Sequence, residues 1–292
     1  LLQARTAELK DAQQYLGKSD AVSYAEVQRM VEGMNSEIFQ LSAQFASICE
    51  RVGKFVGSEL TRIVATLPHA DDPMLVQVMI QAYLARRVSS IVKSWVTELS
   101  FSRNQLLSKI HKNILHNESQ AVSARWRTLT RRYIDPSDEN RRIHAASVGD
   151  GLVYDLSDIL ALSGVAISGA IEAVDDRIRA VFGEKLTSIV NKALEINKVV
   201  GEEISTNEFE VICPRYGEQF LTELMEDTDD AGARSHVDTA IQNQAAVLCT
   251  TDLGLRRYGK KGAVGRGEQE VWENSVLLKA KVALPSLLED FE

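Results

Sequence analysis

The stretch "SYAEVQRMVEGMNSEIFQLSAQFASICERVGKFVG", Ser23 to Gly57, places apolar residues at Val27, Val31, Met34, Ile38, Leu41, Phe45, Ile48, Val52 and Phe55. The steps alternate between four and three, and only a helix draws residues at a mean period of 3.5 into one line. A helix carrying such a seam over about four heptads must bury it. It can do so against another chain in a coiled coil, or along one edge of an intramolecular helix bundle. Both stay open, because Met30 and Leu60 widen the stripe beyond a strict coiled-coil seam. Ser23 with Glu26 three residues on is a capping box and sets the start of the helix. Upstream, Leu2, Leu9 and Leu16 repeat every seven residues until Gly17 and Ser19 interrupt them.

The pattern continues through the next 150 residues. "DDPMLVQVMIQAYLARRVSSIVKSWVTELSF" offers Asp72 as N-cap and Pro73 at the first helical position, where the missing amide hydrogen costs nothing. Its apolar residues cover most of the circumference, so this is the expected central helix, packed on several sides. A further helix is expected from Ser102 to about Tyr133. Asp135 and Pro136 repeat the start signal, and a last helix is expected from about Val165 to Val200. With few prolines and abundant good helix formers, residues 1–200 read as five or six long helices in a bundle. After Gly201 the texture changes. "FEVICP" and "SVLLKAKVAL" are strand candidates stopped by Pro214 and Pro285, and "VDTAIQNQAAVLCTT" begins helix-like and ends strand-like. The fold class is therefore mainly α, with a small C-terminal α+β subdomain over 201–292.

Charge and cysteine usage narrow the function classes. Cys49, Cys213 and Cys249 are odd in number and far apart, which suggests reduced thiols rather than a disulfide framework or a zinc site. The opening residues are polar and periodic, unlike a signal or transit peptide, and the chain beginning at Leu1 reads as a piece of a longer one. The uncharged run Ile159 to Ile171 falls short of the roughly 20 residues a bilayer needs. An intracellular protein, cytoplasmic or nuclear, with no membrane contact is expected. The net charge of −8 is uneven: Glu202 to Asp230 holds ten acids and one base, Arg103 to Arg142 nine bases and four acids. Such segregation points to pairing within the chain or a solvated acidic loop.

The segment "GLRRYGKKGAVGRG", Gly254 to Gly267, comes nearest to a named chemistry. Gly254, Gly259 and Lys260 match a phosphate-cradling loop, but Lys261 stands where that loop needs a hydroxyl for magnesium. Three more glycines follow where a helix should start, so the helix N-terminus is missing too. A mobile basic loop between two strands is expected instead, in which Arg256, Arg257, Lys260, Lys261 and Arg266 offer at most a phosphate or an acidic partner a weak contact. His111 and His116, five apart, lie on different helix faces and make no two-histidine metal set; His69, His144 and His236 are isolated. Pairs such as Asp175–Asp176 and Asp229–Asp230 lack calcium-loop spacing. In "ARWRTLTRRYI", helical spacing sends Trp126, Leu129 and Tyr133 toward the core. The arginines Arg125, Arg127, Arg131 and Arg132 then flank that stripe and pair with Asp138 and Glu139, so nucleic acid is not the expected partner.

Two resemblances bear on this. "ELKDAQQYL", "MNSEIFQLSAQF", "VLCTTDLGL" and "VLLKAKVALPSLLEDF" together resemble a family of uncharacterised fungal proteins with an upstream coiled coil and a helical C-terminal half, which implies no activity. "ICPRYGEQFLTELME", followed by "VLCTTDLGL" and "VLLKAKV", is similar in order to the small β-domain of GrpE-type nucleotide exchange factors. Pro214, Gly217, Phe220 and Val276 to Val282 are the matching positions, while Leu221, Thr222, Leu278 and Lys279 depart from that family's Asp-Pro and Arg-Pro steps. This second likeness implies an Hsp70-type chaperone as partner. Without it, the residues lead to a non-enzymatic interaction or scaffold protein that needs no cofactor or metal and associates with itself or another helical protein through the seam Val27 to Phe55.

Overall fold

In the computed structural model the described residues are 20, 22–48, 73–96, 101–134, 138–162, 171–228, 245–261 and 271–289. Among these residues six long helices precede the strands: α1 (Tyr24–Ile48), α2 (Pro73–Lys93), α3 (Phe101–Asn117), α4 (Gln120–Ile134), α5 (Asp138–Leu162) and α6 (Ile171–Lys198). A π-helical turn, Val199–Glu203, closes α6. Then come β1 (Glu208–Ile212), β2 (Met225–Asp227), β3 (Cys249–Asp252), β4 (Gly254–Lys261), β5 (Val271–Leu278), β6 (Ala280–Ala283) and a single helical turn, α7 (Ser286–Glu289). The chain is mainly α, and among the described residues no helix is long and apolar enough to cross a membrane.

The start of α1 follows the capping expectation: the Glu26 amide donates to Ser23 Oγ at 3.3 Å. The seam is filled from within the chain. Val27, Val31, Met34, Ile38, Leu41 and Phe45 are all buried, packed with residues of α2 and α6 in one core. Phe45 stacks on Phe182 of α6 at 3.7 Å between ring centroids. Packing against α2 and α6 already removes the apolar surface of these six positions from water, which is the intramolecular one of the two ways of burying the seam. The side chains of Ile48, Val52 and Phe55 lie outside the described residues.

The all-round apolar helix is central, as its pattern requires. α2 touches α1, α6, β1 and β3, and buries Leu75, Ile80, Leu84 and Val88 among others. The core does not stop at the change of texture near Gly201. It runs from the seam through Ile189 and Ile196 of α6 into Phe209 and Val211 of β1 and Leu255 of β4. A polar clamp reinforces that continuity: the buried Asn35 of α1 donates to the Leu253 carbonyl and accepts from the Leu253 amide, both at 2.9 Å. One side chain thus satisfies both backbone groups between β3 and β4.

The strands form two three-stranded sheets. In the first, β4 lies between β1 and β5, antiparallel to both, with Glu210 opposite Arg256 and Tyr258 opposite Asn274. In the second, β6 lies between β2, parallel, and β3, antiparallel. Residues Gly254 to Lys261 are thus the central strand of a sheet, which corrects the expectation of a mobile loop there. Cross-strand pairing explains the difference, since Leu255 is buried, Arg256 pairs with Glu210 of β1 and Arg257 pairs with Glu273 of β5. Gly254 is required by close approach: a Cβ there would stand 2.6 Å from the Ala280 amide nitrogen. The rest of the glycine-rich segment, including Arg266, lies outside the described residues.

Two neighbouring substitutions test this assignment of faces. Ile38→Asp should cost about 3–5 kcal/mol by burying an uncompensated charge, whereas Phe39→Asp, at a residue 52% exposed, should stay within about 0.5 kcal/mol of the parent. Chemical denaturation of the three proteins checks it, and similar losses in both variants would reverse the orientation given to α1.

Candidate functional site

α4 buries a different face from the expected one, although Trp126 of the expected stripe stays half-buried against Trp95 and His111. Ser123, Ala124, Arg127 and Arg131 are buried, and Tyr133 is 71% exposed. Acceptors sit opposite this helix, and they draw in the arginines: Arg127 ion-pairs with Glu208 of β1 and donates to the Ile204 carbonyl. Arg131 donates to the Ser94 carbonyl at 2.9 Å and lies 4.9 Å over the Trp95 ring. Asn197 of α6 donates to the carbonyls of Ile91, Val92 and Ser94 at 2.7–3.0 Å, so a cation and an amide together cap the negative end of α2. Burial, helped by Arg127, lowers Arg131 to about 10, which leaves it charged at neutral pH. The π-helical turn makes room for it: a Cβ on Gly201 would come within 2.3 Å of Arg131 Cδ.

His111 of α3 completes this cluster. It packs edge-on to Trp95 and stacked on Trp126, with Nε2 3.2 Å from Ser123 Oγ and 3.8 Å from Glu208 Oε1. Burial is the largest influence and pushes its pKa below the usual 6.5, against the pull of Glu208 and with the help of Arg127 and Arg131. A neutral histidine wedged between two indoles is a packing element rather than a metal ligand. Among the described residues no group of three or more His, Cys, Asp or Glu could hold a metal ion.

Beside the cluster, a cleft of about 1310 Å³ opens between α2, α3 and β1. α2 supplies Arg86, Arg87 and Lys93 to its lining, and α3 supplies Lys109 and Lys112. Arg215 follows β1, and Arg256 stands on β4. Among the described residues, two carboxylates, Glu210 and Glu218, share the lining with these seven cations. Two of the cations have carboxylate neighbours: Arg256 Nε donates to Glu210 at 2.9 Å, and Arg87 lies 3.9 Å from Asp155, which also accepts the Tyr83 hydroxyl. The other five, Arg86, Lys93, Lys109, Lys112 and Arg215, have no carboxylate at ion-pair distance among the described residues. Lys93 is open to solvent, yet the cleft walls desolvate it enough to lower its pKa, with Glu210 opposing. Ser90, Ser108 and Asn113 add hydrogen-bonding groups. Such a cleft can hold negative charge, through several cations whose attraction adds where the walls thin the solvent.

The residues singled out in the sequence come together differently. Among the described side chains of the basic segment, Arg256 alone lines the cleft, while those of Lys261 and Arg266 lie outside the described residues. Arg257 lies 4.7 Å over the Tyr24 ring, and Lys260 donates to the carbonyls of His116 and Glu118, where its charge caps the end of α3. The lysine that suggested a phosphate loop is therefore bound to a helix terminus. Lys109 and Lys112 lie in the base-rich stretch Arg103 to Arg142, the one local signal that pointed here. The other cleft residues are spread from Arg86 to Arg256, and no spacing rule links them. Of the positions shared with exchange factors, Gly217 takes a positive φ of 79° in a turn, and Phe220 packs with Val282 of the second sheet. No protein-family model, curated protein or solved structure matches the chain.

Two measurements probe the cluster. Arg127→Met strands Glu208 in a buried site and should cost about 3–5 kcal/mol, much of it recovered in Arg127→Met/Glu208→Leu; denaturation of both variants checks this, and an additive loss in the double would contradict it. Because His111 titrates lower when folded, the unfolded chain takes up its proton first as pH falls below about 6.5. Stability should therefore be complete above that value and decline below it. The decline should be shallower in His111→Gln than in the parent when denaturation midpoints are followed from neutral to mildly acidic pH.

Proposed function

We propose that this chain is a non-enzymatic interaction protein that receives an acidic segment of a partner in the basic cleft between α2, α3 and β1. The observation that carries this is the set of five cations in one cleft that have no carboxylate at ion-pair distance among the described residues, on a chain whose net charge is −8. Charges that served only the fold would be expected to be paired as Arg127, Arg256 and Arg257 are. Concentrating one sign in a concave site raises the local concentration of the opposite sign and speeds its capture. This keeps the interaction role read from the sequence and moves it from the buried seam to the cleft.

The test is fluorescence anisotropy with a labelled peptide of alternating Glu and Val, beside its Lys-Val counterpart. Binding should be confined to the acidic peptide and weaken with ionic strength. Lys109→Glu/Lys112→Glu, at two exposed residues, should lose about tenfold or more in affinity. Equal binding of both peptides, or no effect of the double substitution, would remove the cleft from the interaction.

A further inference from the structure

β1 is the edge strand of the first sheet, and among the described residues only β4 pairs with it. On this side the cleft is lined by Glu210, Val211 and Ile212, consecutive residues of β1, and by Cys213 to Arg215 beyond its end. A strand facing a cleft by one surface would contribute every second residue, because side chains alternate between the faces. A consecutive run means that the strand meets the cleft along its backbone edge. In an antiparallel pair alternate residues bond to the neighbour and the others direct N–H and C=O outward, so this edge can pair with another extended chain. Its other end is closed, since Glu208 is buried under Arg127 and His111, and any pairing starts from Glu210 onward.

We infer that the partner segment binds in extended form as an added strand on the free edge of β1, with acidic side chains at alternate positions facing the cationic walls of the cleft. The inference rests on the proposed function and adds the conformation and the spacing of the ligand. Backbone pairing supplies affinity with little regard to sequence, and the charges at every second residue supply the selection. Glu210 does not oppose an acidic strand, because Arg256 holds it in an ion pair across the sheet. Among the described residues no aromatic side chain, the usual platform for stacking nucleic-acid bases, lines the cleft.

The experiment uses the Glu-Val peptide and two derivatives with every charge retained, one N-methylated at the Glu amides and the other at the Val amides. An added strand has one set of amides turned to β1 and the other turned away, so one derivative should lose about tenfold or more in affinity while the other binds like the parent. Amide hydrogen exchange of the full chain should show slowed exchange within Glu210–Ile212 on adding the parent peptide. If both derivatives bind like the parent and β1 exchange is unchanged, strand addition is overturned while acidic binding in the cleft stands. If the parent peptide itself does not bind, both readings fall. An oligothymidylate of equal charge that competes fully with the peptide, and leaves β1 exchange unchanged, would replace the peptide with a nucleic-acid ligand and overturn the inference.

Discussion

The ion pair between Arg127 and Glu208 joins the helical part of the molecule to the first sheet in a place where neither charge can reach water. A buried pair of this kind contributes little net stability over a well-packed apolar one, but it tolerates no misplacement, because either charge left alone is costly. It thereby fixes where α4 lies against β1. Arg131, one turn along, fixes the same helix to the end of α2, and Asn197 brings in α6. Four elements meet within a few residues of one another, and the cleft is the space left on the open side of that junction.

This arrangement explains which parts of the fold were legible in the sequence. Helices α1 and α2 could be read because period and capping are local: Ser23 caps the helix that Val27 to Phe45 require, and Pro73 begins α2. β1 followed from a short β-branched run ending before Pro214, whereas the continuous strand read over Ser275 to Leu284 is broken at Lys279 into β5 and β6, which belong to different sheets. The orientation of α4 was not legible, because its sequence offers both an aromatic stripe and an arginine stripe. The choice between them depends on Glu208 and on the carbonyls of Ser94 and Ile204, which are remote along the chain. The same holds for β4. Its glycines and lysines imitate a phosphate loop, but Leu255 and the cross-strand partners Glu210 and Glu273 make it a strand.

The cleft was the least legible feature. Its cations come from α2, α3, the end of β1 and β4, and each alone looks like an ordinary solvated side chain. Only a folded chain reveals that they surround the same volume with so few acids among them. The local excess of bases in α3 and α4 was visible, yet it mixes two populations with different fates. Arg127 and Arg131 are consumed by the interior, whereas Lys109 and Lys112 face the cleft. Charge counts along a sequence cannot separate those populations, because burial depends on what lies opposite.

The clamp between Asn35 and Leu253 has a consequence in time. Its partners are 218 residues apart, so α1 can form its turns early but cannot complete its environment until β4 has been made. During synthesis the apolar seam and the buried amide of Asn35 must wait beside α2 and α6 while the sheet is still missing. The helical portion is thus half of an interior, and the last strands to emerge close it.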